Sequence, residues 1–468
     1  MEPSDLLARF GRALDRRRPL EPLWQACYDH VLPGPAGGAT LFDATAADAA
    51  EQLAASLLAE LTPPWSRWFG LSPARSLGDH AAAALEEAAA MLQGHFDRSN
   101  FVVEMHQAFL DLVVAGTGLL LVEEAPLGEP SAFRFTAVPI RSAVLEEGPD
   151  GRLSTVFRQM RLTAGQLRTR FSAATLPPDL ARAAAGDDPA QHPVLEAVWP
   201  ERGTTRYAAL LADAAQPLLL AEGRFAETPC IAFRWLKVPG ETYGRGPVMK
   251  ALPDIRTANK VVELVLKNAS IAVTGIWQAE DDGVLNPDTV KLVPGAIIPK
   301  APGSAGLTPL AAPGNFDVSQ LVLQELRARI RTALLADRFG PPQEARMTAT
   351  EVLERSAQTA RLLGASYGRL QAELLTPLVT RCLAILRRRG EIPSLLLDGR
   401  DVALRYESPL ARVQGRADAA NTLLFLQSAA SLGGEAAAQI DAAAATRWLA
   451  RTLGAPAEVL IPSNPIRE

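Results

Sequence analysis

Few residues in this chain are placed for covalent chemistry. Gly364-Ala365-Ser366-Tyr367-Gly368 has the G-x-S-x-G spacing of a nucleophile elbow. That motif needs a preceding strand and a later histidine. Here it lies in a helical pattern, and the last histidine is His192, so the spacing is coincidental. His30, His80, His95, His106 and His192 are scattered without metal-ligand spacing. Glu280-Asp281-Asp282-Gly283 could hold a divalent cation, but no calcium-loop spacing follows, and the run reads as a solvated loop. No GxxxxGK[ST], HExxH or GxGxxG occurs. The expectation is a protein with no catalytic residues, cofactor or metal.

Two basic stripes are better placed. Arg256, Lys260, Glu263, Lys267 and Ser270 recur at steps of three and four, as do Gln320, Gln324, Arg327 and Arg331. Each set lies along one side of a helix. All six lysines of the chain fall between Lys237 and Lys300. One reading is a pair of solvated faces, with Glu263 bridging Lys260 and Lys267. The other is a surface for a polyanion, with stacked basic rings if several copies surround an axis.

The elements that would carry these stripes follow from periodicity. Residues 1 to about 116 read as helices: Asp5 to Val31, Phe42 to Leu61, His80 to Phe96 and Asn100 to Val114. The aromatic run from Trp65 to Phe69 packs them together. Residues 119 to 236 read as β-rich. Phe133 to Glu147 and Arg152 to Leu162 flank Gly148-Pro149-Asp150-Gly151 as a hairpin, and Thr163 opens a short helix. Asp254 to Val273 is a helix so apolar that it must be buried on several sides, with Pro253 interrupting or restarting it. A Gly-, Pro- and Asp-rich excursion over 274–316 follows, then a returning helix from Val318 to Ala336. After a loop at 338–347, Thr348 and Glu351 form a capping box opening a long helix in which Pro377 predicts a kink. Residues 401–407 are strand-like, and 411–453 are helical.

Composition sets the limits. The chain has 468 residues, enough for two to four domains, with 48% hydrophobic and 21% charged residues, which excludes wholesale disorder. A net charge of -5 disfavours wrapping nucleic acid across the outer surface. Cys27, Cys230 and Cys382 build no disulfide framework, which implies a reducing compartment. Met1 to Asp5 is no signal peptide, and the longest apolar run, Leu112 to Val122, is far short of the ~20 residues that span a bilayer. The expectation is a soluble protein.

Several short motifs, in order along nearly the whole chain, resemble one family. They are Leu41-Phe42-Asp43-Ala44-Thr45-Ala46-Ala47-Asp48-Ala49-Ala50, Leu61-Thr62-Pro63-Pro64 with Trp68-Phe69, and Ser99-Asn100-Phe101 with Gly116-Thr117-Gly118. Tyr243-Gly244-Arg245-Gly246-Pro247 with Ala251-Leu252-Pro253-Asp254, Arg346-Met347-Thr348-Ala349-Thr350-Glu351 and Arg369-Leu370-Gln371-Ala372-Glu373 complete the set. The family is the portal, or head-to-tail connector, proteins of short-tailed tailed phages. The resemblance implies an α+β, mainly helical chain assembled as a ring of twelve at one capsid vertex. It implies a wing over 1–245, helical and then β-rich, a first stem helix over 246–273, a clip over 274–316 and a second stem helix over 317–337. A tunnel loop over 338–347, a kinked helix and wing return over 348–410, and a short crown over 411–468 would follow. The implied partners are double-stranded DNA, the terminase large subunit, a tail adaptor and capsid proteins, with no membrane. The implied location is the virion, with assembly in the host cytoplasm. DNA-channel candidates are Lys260, Lys267, Gln324, Arg327 and Arg331; tunnel-loop candidates are Arg338, Gln343, Glu344 and Arg346. A tail-adaptor ring and a DNA-processing enzyme are the alternatives.

Overall fold

The computed structural model describes all residues except 1, 33–39, 65, 74–78, 187, 213–216, 275–276, 280–301, 304–306, 310–315, 337–363, 365, 393–401, 407–408, 432–438 and 454–468. Five helices account for most of the first 115 residues: α1 (Pro3–Arg17), α2 (Glu21–Val31), α3 (Thr45–Leu61), α4 (Asp79–Asp97) and α5 (Phe101–Ala115). The single helix expected over Asp5 to Val31 is divided by a 3-10 turn, Arg18–Leu20, because Pro19 cannot donate to the helical ladder. In α3 the i, i+4 row Leu53, Leu57 and Leu61 is buried. Each such leucine contributes about 1.5–3 kcal/mol of burial. Of the aromatic run expected to pack these helices, Trp68 stands against Phe96 and Phe101, and Phe133 and Phe135 join them, with ring centroids 4.7 to 6.4 Å apart among the contacting pairs; Trp65 lies outside the described residues.

Two antiparallel sheets follow. One is three-stranded, in the order β3 (Phe133–Ala137), β2 (Thr117–Glu124), β9 (Cys230–Arg234). The other is a five-stranded meander of β4 (Ala143–Glu147), β5 (Leu153–Thr163), β6 (Gln191–Glu201), β7 (Thr204–Leu211) and β8 (Leu218–Phe225). The strand read as continuous from Phe133 to Glu147 is thus two strands in two sheets. Pro139 lacks the N–H for a ladder bond, and a 3-10 turn, Ile140–Ser142, carries the chain across. The β4–β5 hairpin forms where expected. Thr163 and Gln166 make a full capping box at α6 (Ala164–Arg170), which is followed by the short α7 (Pro178–Ala183).

Next comes α8 (Pro247–Thr274), which runs unbroken through Pro253. It leads into β10 (Trp277–Ala279), which pairs antiparallel with β11 (Leu307–Pro309); α9 (Phe316–Ala333) then returns. Ser366 lies on a helix, not on a strand-to-helix turn. Ahead of Pro377 the backbone widens into a π-turn at Gln371–Leu375 before α10 (Thr376–Arg389). The wider turn removes the clash that a proline ring makes with the preceding turn of a regular helix. β12 (Val402–Tyr406) pairs antiparallel with β1 (Phe69–Pro73), a strand absent from the sequence reading. Helices α11 (Pro409–Ser431) and α12 (Ala442–Leu453) end the described chain.

Candidate functional site

The two basic stripes lie on α8 and α9, which pack against each other. Arg329, near the end of α9, pairs with Asp254, near the start of α8, at 3.0 Å, so the helices run antiparallel. The first half of α8 is embedded: Val248, Ala251, Leu252, Ile255 and Ala258 are buried, as are Leu326 and Ile330 on α9. Beyond residue 260, α8 leaves the core. Leu264 (49% exposed) and Leu266 (52%) are open, with Leu321 (70%) and Val322 (41%) open on α9. Leu264 and Leu266 lie on different sides of α8, so both sides of its outer half are without apolar cover.

On α8, Lys260 and Lys267 both bond Glu263, at 2.9 and 2.5 Å. Hydrogen bonds from Lys267 and then Lys260 hold the Glu263 carboxyl below its ordinary value. Two lysines around one carboxylate leave a net positive charge at the exposed surface. On α9, Gln324 and Arg331 are exposed, and Arg331 has no ion pair among the described residues. Arg327 is differently placed. It reaches Asp43, just before α3, with Nε and Nη2 each 2.8 Å from Oδ2. Burial pushes the Asp43 carboxyl up, but hydrogen bonds from Thr45 and Arg327 outweigh it and hold the carboxyl below its ordinary value.

Asp43 belongs to a joint. Asn259 of α8 accepts from the backbone N–H groups of Phe42 and Asp43, at 2.6 and 3.1 Å, and donates to the Thr40 carbonyl. The segment Leu41–Thr45 therefore laces α8 to α9 at their base. The sequence reading cited this segment but assigned it no role. Its only local signal was Asp43 two residues before Thr45, whose N–H it accepts at 3.0 Å.

A second joint fixes the start of α8. Gly116 has φ +78°, and a side chain there would collide with the backbone of Gly244 and Gly246. The Gly244 N–H donates to Thr117 Oγ1 at 2.8 Å. Beside it, the fully buried Arg234 of β9 bonds Glu373 in the π-turn: Nη2 to Oε1 at 2.6 Å and Nε to Oε2 at 3.2 Å. Its backbone N–H also donates to Oε2, at 3.0 Å. Arg234 further donates to the carbonyls of Gly151 and Thr242. Arg369 donates to Glu373 across one helical turn, which is the i, i+4 spacing that marks this residue in the sequence. The separate motifs at 116–118, 243–247 and 369–373 thus meet in one place.

Arg338, Gln343, Glu344 and Arg346 lie outside the described residues, as do the capping box at Thr348–Glu351 and the acidic run at 280–283. Among the described residues no cluster of three His, Cys, Asp or Glu is arranged to hold a metal ion, and no helix is long and apolar enough to cross a membrane. The arrangement can anchor a rigid helical pair and present a modest positive charge; it holds no group poised for bond making.

A family model described as bacteriophage head to tail connecting protein matches residues 4–460. The chain is 24% identical to the probable portal protein of Bordetella phage BPP-1, over 98% of this chain and 89% of that protein. It is 22% identical to the portal protein of Salmonella phage epsilon15, over 100% and 90%, and 22% identical to that of Escherichia phage T7, over 82% and 75%. A solved chain from the virion of a native gene transfer agent particle covers 88% of this chain and 90% of its own, at 13% identity and a TM-score of 0.41.

Proposed function

The chain belongs to the bacteriophage head to tail connecting protein family, and we propose that it closes into a ring of twelve at one capsid vertex, around a passage for double-stranded DNA. It is a portal-type structural protein, not an enzyme, as its curated relatives are named portal proteins. The observation that carries the ring is the outer half of α8 and α9. Leu264, Leu266, Leu321 and Val322 stand exposed on a helical pair whose base is locked by Asn259 and Arg327. Exposed apolar groups on a rigid arm are covered most economically by the same arm of a neighbour, and such a head-to-tail contact gives a ring when its rotation closes, where an open filament would otherwise result.

In this reading residues 1–245 form the wing, α8 and α9 the stem, 274–316 the clip, 338–347 the tunnel loop and 411–468 a short crown. The ring docks the terminase large subunit, the tail adaptor and capsid proteins. Lys260, Lys267, Gln324 and Arg331 are the stem groups available to DNA phosphates, without sequence preference. Arg327 takes part only from a position already shared with Asp43. Of the tunnel-loop residues Arg338, Gln343, Glu344 and Arg346, the last is the chief phosphate contact, just before the expected helix start at Thr348. The protein works in the virion after assembly in the host cytoplasm.

Light scattering and negative-stain imaging of the purified protein test the ring. A closed annulus with a central hole is expected; a stable monomer at micromolar concentration in modest salt refutes it. Arg346→Ala tests the loop. Intact rings that package and retain DNA like the wild type would remove Arg346 from the channel.

A further inference from the structure

Between the two sheets lies a cavity of about 300 Å3 that plays no part in the stem. Its walls are Leu119 and Leu121 of β2, Val156 and Val198 of the five-stranded sheet, and Cys230 of β9; α10 closes one end. Volumes of roughly 300–1,000 Å3 with apolar walls and few polar groups are those of small-molecule sites. At about 30 Å3 for a water-sized atom, this one admits about ten non-hydrogen atoms.

Its charges are unevenly matched. Three glutamates line it, and each has an arginine. Glu196 holds Arg170 at 2.9 Å and Arg158 at 3.6 Å, and accepts from the Tyr207 hydroxyl at 3.0 Å. Glu123 lies 3.9 Å from Arg170, and Glu124 pairs with Arg388. The fourth arginine, Arg381 of α10, is 4% exposed and has no carboxylate within ion-pair distance among the described residues. Its Nε and Nη1 donate to the backbone carbonyls of Val122 and Glu227, at 3.4 and 3.2 Å, and its Nη2 makes no hydrogen bond among the described residues. Its guanidinium lies 5.0 Å from the centroid of Phe225, another wall residue. A buried cation with no carboxylate at ion-pair distance is costly unless an anion joins it. Burial accordingly lowers its pKa, despite the nearby acidic groups.

We propose that this cavity is a binding site for a small apolar monoanion, of about ten non-hydrogen atoms, whose carboxylate pairs with Arg381 while its hydrocarbon body lies against Leu119, Leu121 and Val156. The cavity is partly open to solvent, and its small volume favours a free small molecule over a polypeptide segment. The reading stands whether or not the chain forms a ring.

Titration of the intact protein with octanoate, followed by calorimetry and by the shift of a 13C-labelled carboxyl, tests it. Saturable one-site binding at submillimolar concentration is expected, with neutral octanol and octylammonium much weaker. Arg381→Met should weaken octanoate by about ten- to a hundredfold, the loss of a charged hydrogen bond, and leave octanol unchanged. Val156→Phe, which fills the floor and keeps the guanidinium, should abolish both, so a misfolded Arg381 variant would not leave the question open. No octanoate binding, octanol binding as tightly as octanoate, or unchanged affinity in either variant overturns the proposal. So does binding of an acidic, aliphatic-flanked peptide when octanoate does not bind.

Discussion

Replacing Glu373 by Gln should loosen the joint between β9 and the π-turn far more than its small change in shape suggests. Three donors of Arg234 and one of Arg369 converge on the two Glu373 oxygens, and Arg234 is fully buried. Glutamine presents one oxygen and one NH2 group. The NH2 must face N–H donors, leaving at least one of them unsatisfied at about 1–3 kcal/mol. The remaining carboxylate beside Arg234 is Glu147 at 3.5 Å, already bonded to Lys237, so the guanidinium keeps its two backbone carbonyls but loses its close counter-ion. Breaking a buried pair by one partner costs about 3–5 kcal/mol in total. Since about 1.4 kcal/mol is tenfold, local opening of β9 should become roughly 100- to 3,000-fold more frequent. Hydrogen–deuterium exchange of peptides covering Cys230–Arg234 measures this directly. The double variant Arg234→Met, Glu373→Met should recover part of the protection, because an apolar pair carries no charge-desolvation penalty, although the residue-234 N–H and the Gly151 and Thr242 carbonyls lose their partners. Exchange in Glu373→Gln within about threefold of wild type, under half an exchange decade, would refute the reasoning.

Reversing Lys260 and Lys267 to Glu together should leave assembly intact and slow DNA packaging; unchanged packaging rate and length would make the α8 stripe a solvated face. Leu264→Asp with Leu321→Asp should shift the protein toward monomer in light scattering without unfolding it, since both side chains are exposed in the single chain. Asp43 has a depressed carboxyl pKa, so its stabilisation is present above the ordinary value of 3.8 and is lost as pH falls through the lower folded value. Pepsin cleavage near Phe42 should therefore start below pH 3.8 in the wild type and at higher pH in Arg327→Met; identical onsets would count against the Arg327–Asp43 anchor. Gly116→Ala should prevent correct folding outright, because a Cβ there meets backbone and φ is positive; soluble protein with native circular dichroism would contradict this.

Features that depend on neighbours along the chain were legible in advance. The N-cap at Thr163, the helix–excursion–helix order of α8 and α9, the packing of the aromatic run that contains Trp68, and the bridge from Glu263 to Lys260 and Lys267 all rest on spacings of one to four residues or on a local run of one side-chain type. Proline effects were only half legible. Pro139 diverts a strand between sheets, Pro253 is absorbed by a helix, and Pro377 is met by a π-turn. The ring and missing N–H are local, but the relief available depends on packing.

What only the tertiary structure decided is which charges are spent. Lys260 and Arg327 look alike in the sequence, each in a basic stripe with three- and four-residue steps. Arg327 is committed to Asp43, 284 positions away, whereas Lys260 finds its partner three residues on. Arg234 and Glu373, 139 apart, and the strand pairing of β1 with β12 have the same origin. Periodicity reports the side of a helix on which a residue stands. The element that arrives on that side is chosen by burial of the whole core, a non-directional force summed over distant segments. The sequence therefore determined the helices, their polar stripes and the family. Packing determined which stripe residues are anchors, which stay at the exposed surface, and that Arg381 would line a cavity with no carboxylate at ion-pair distance among the described residues.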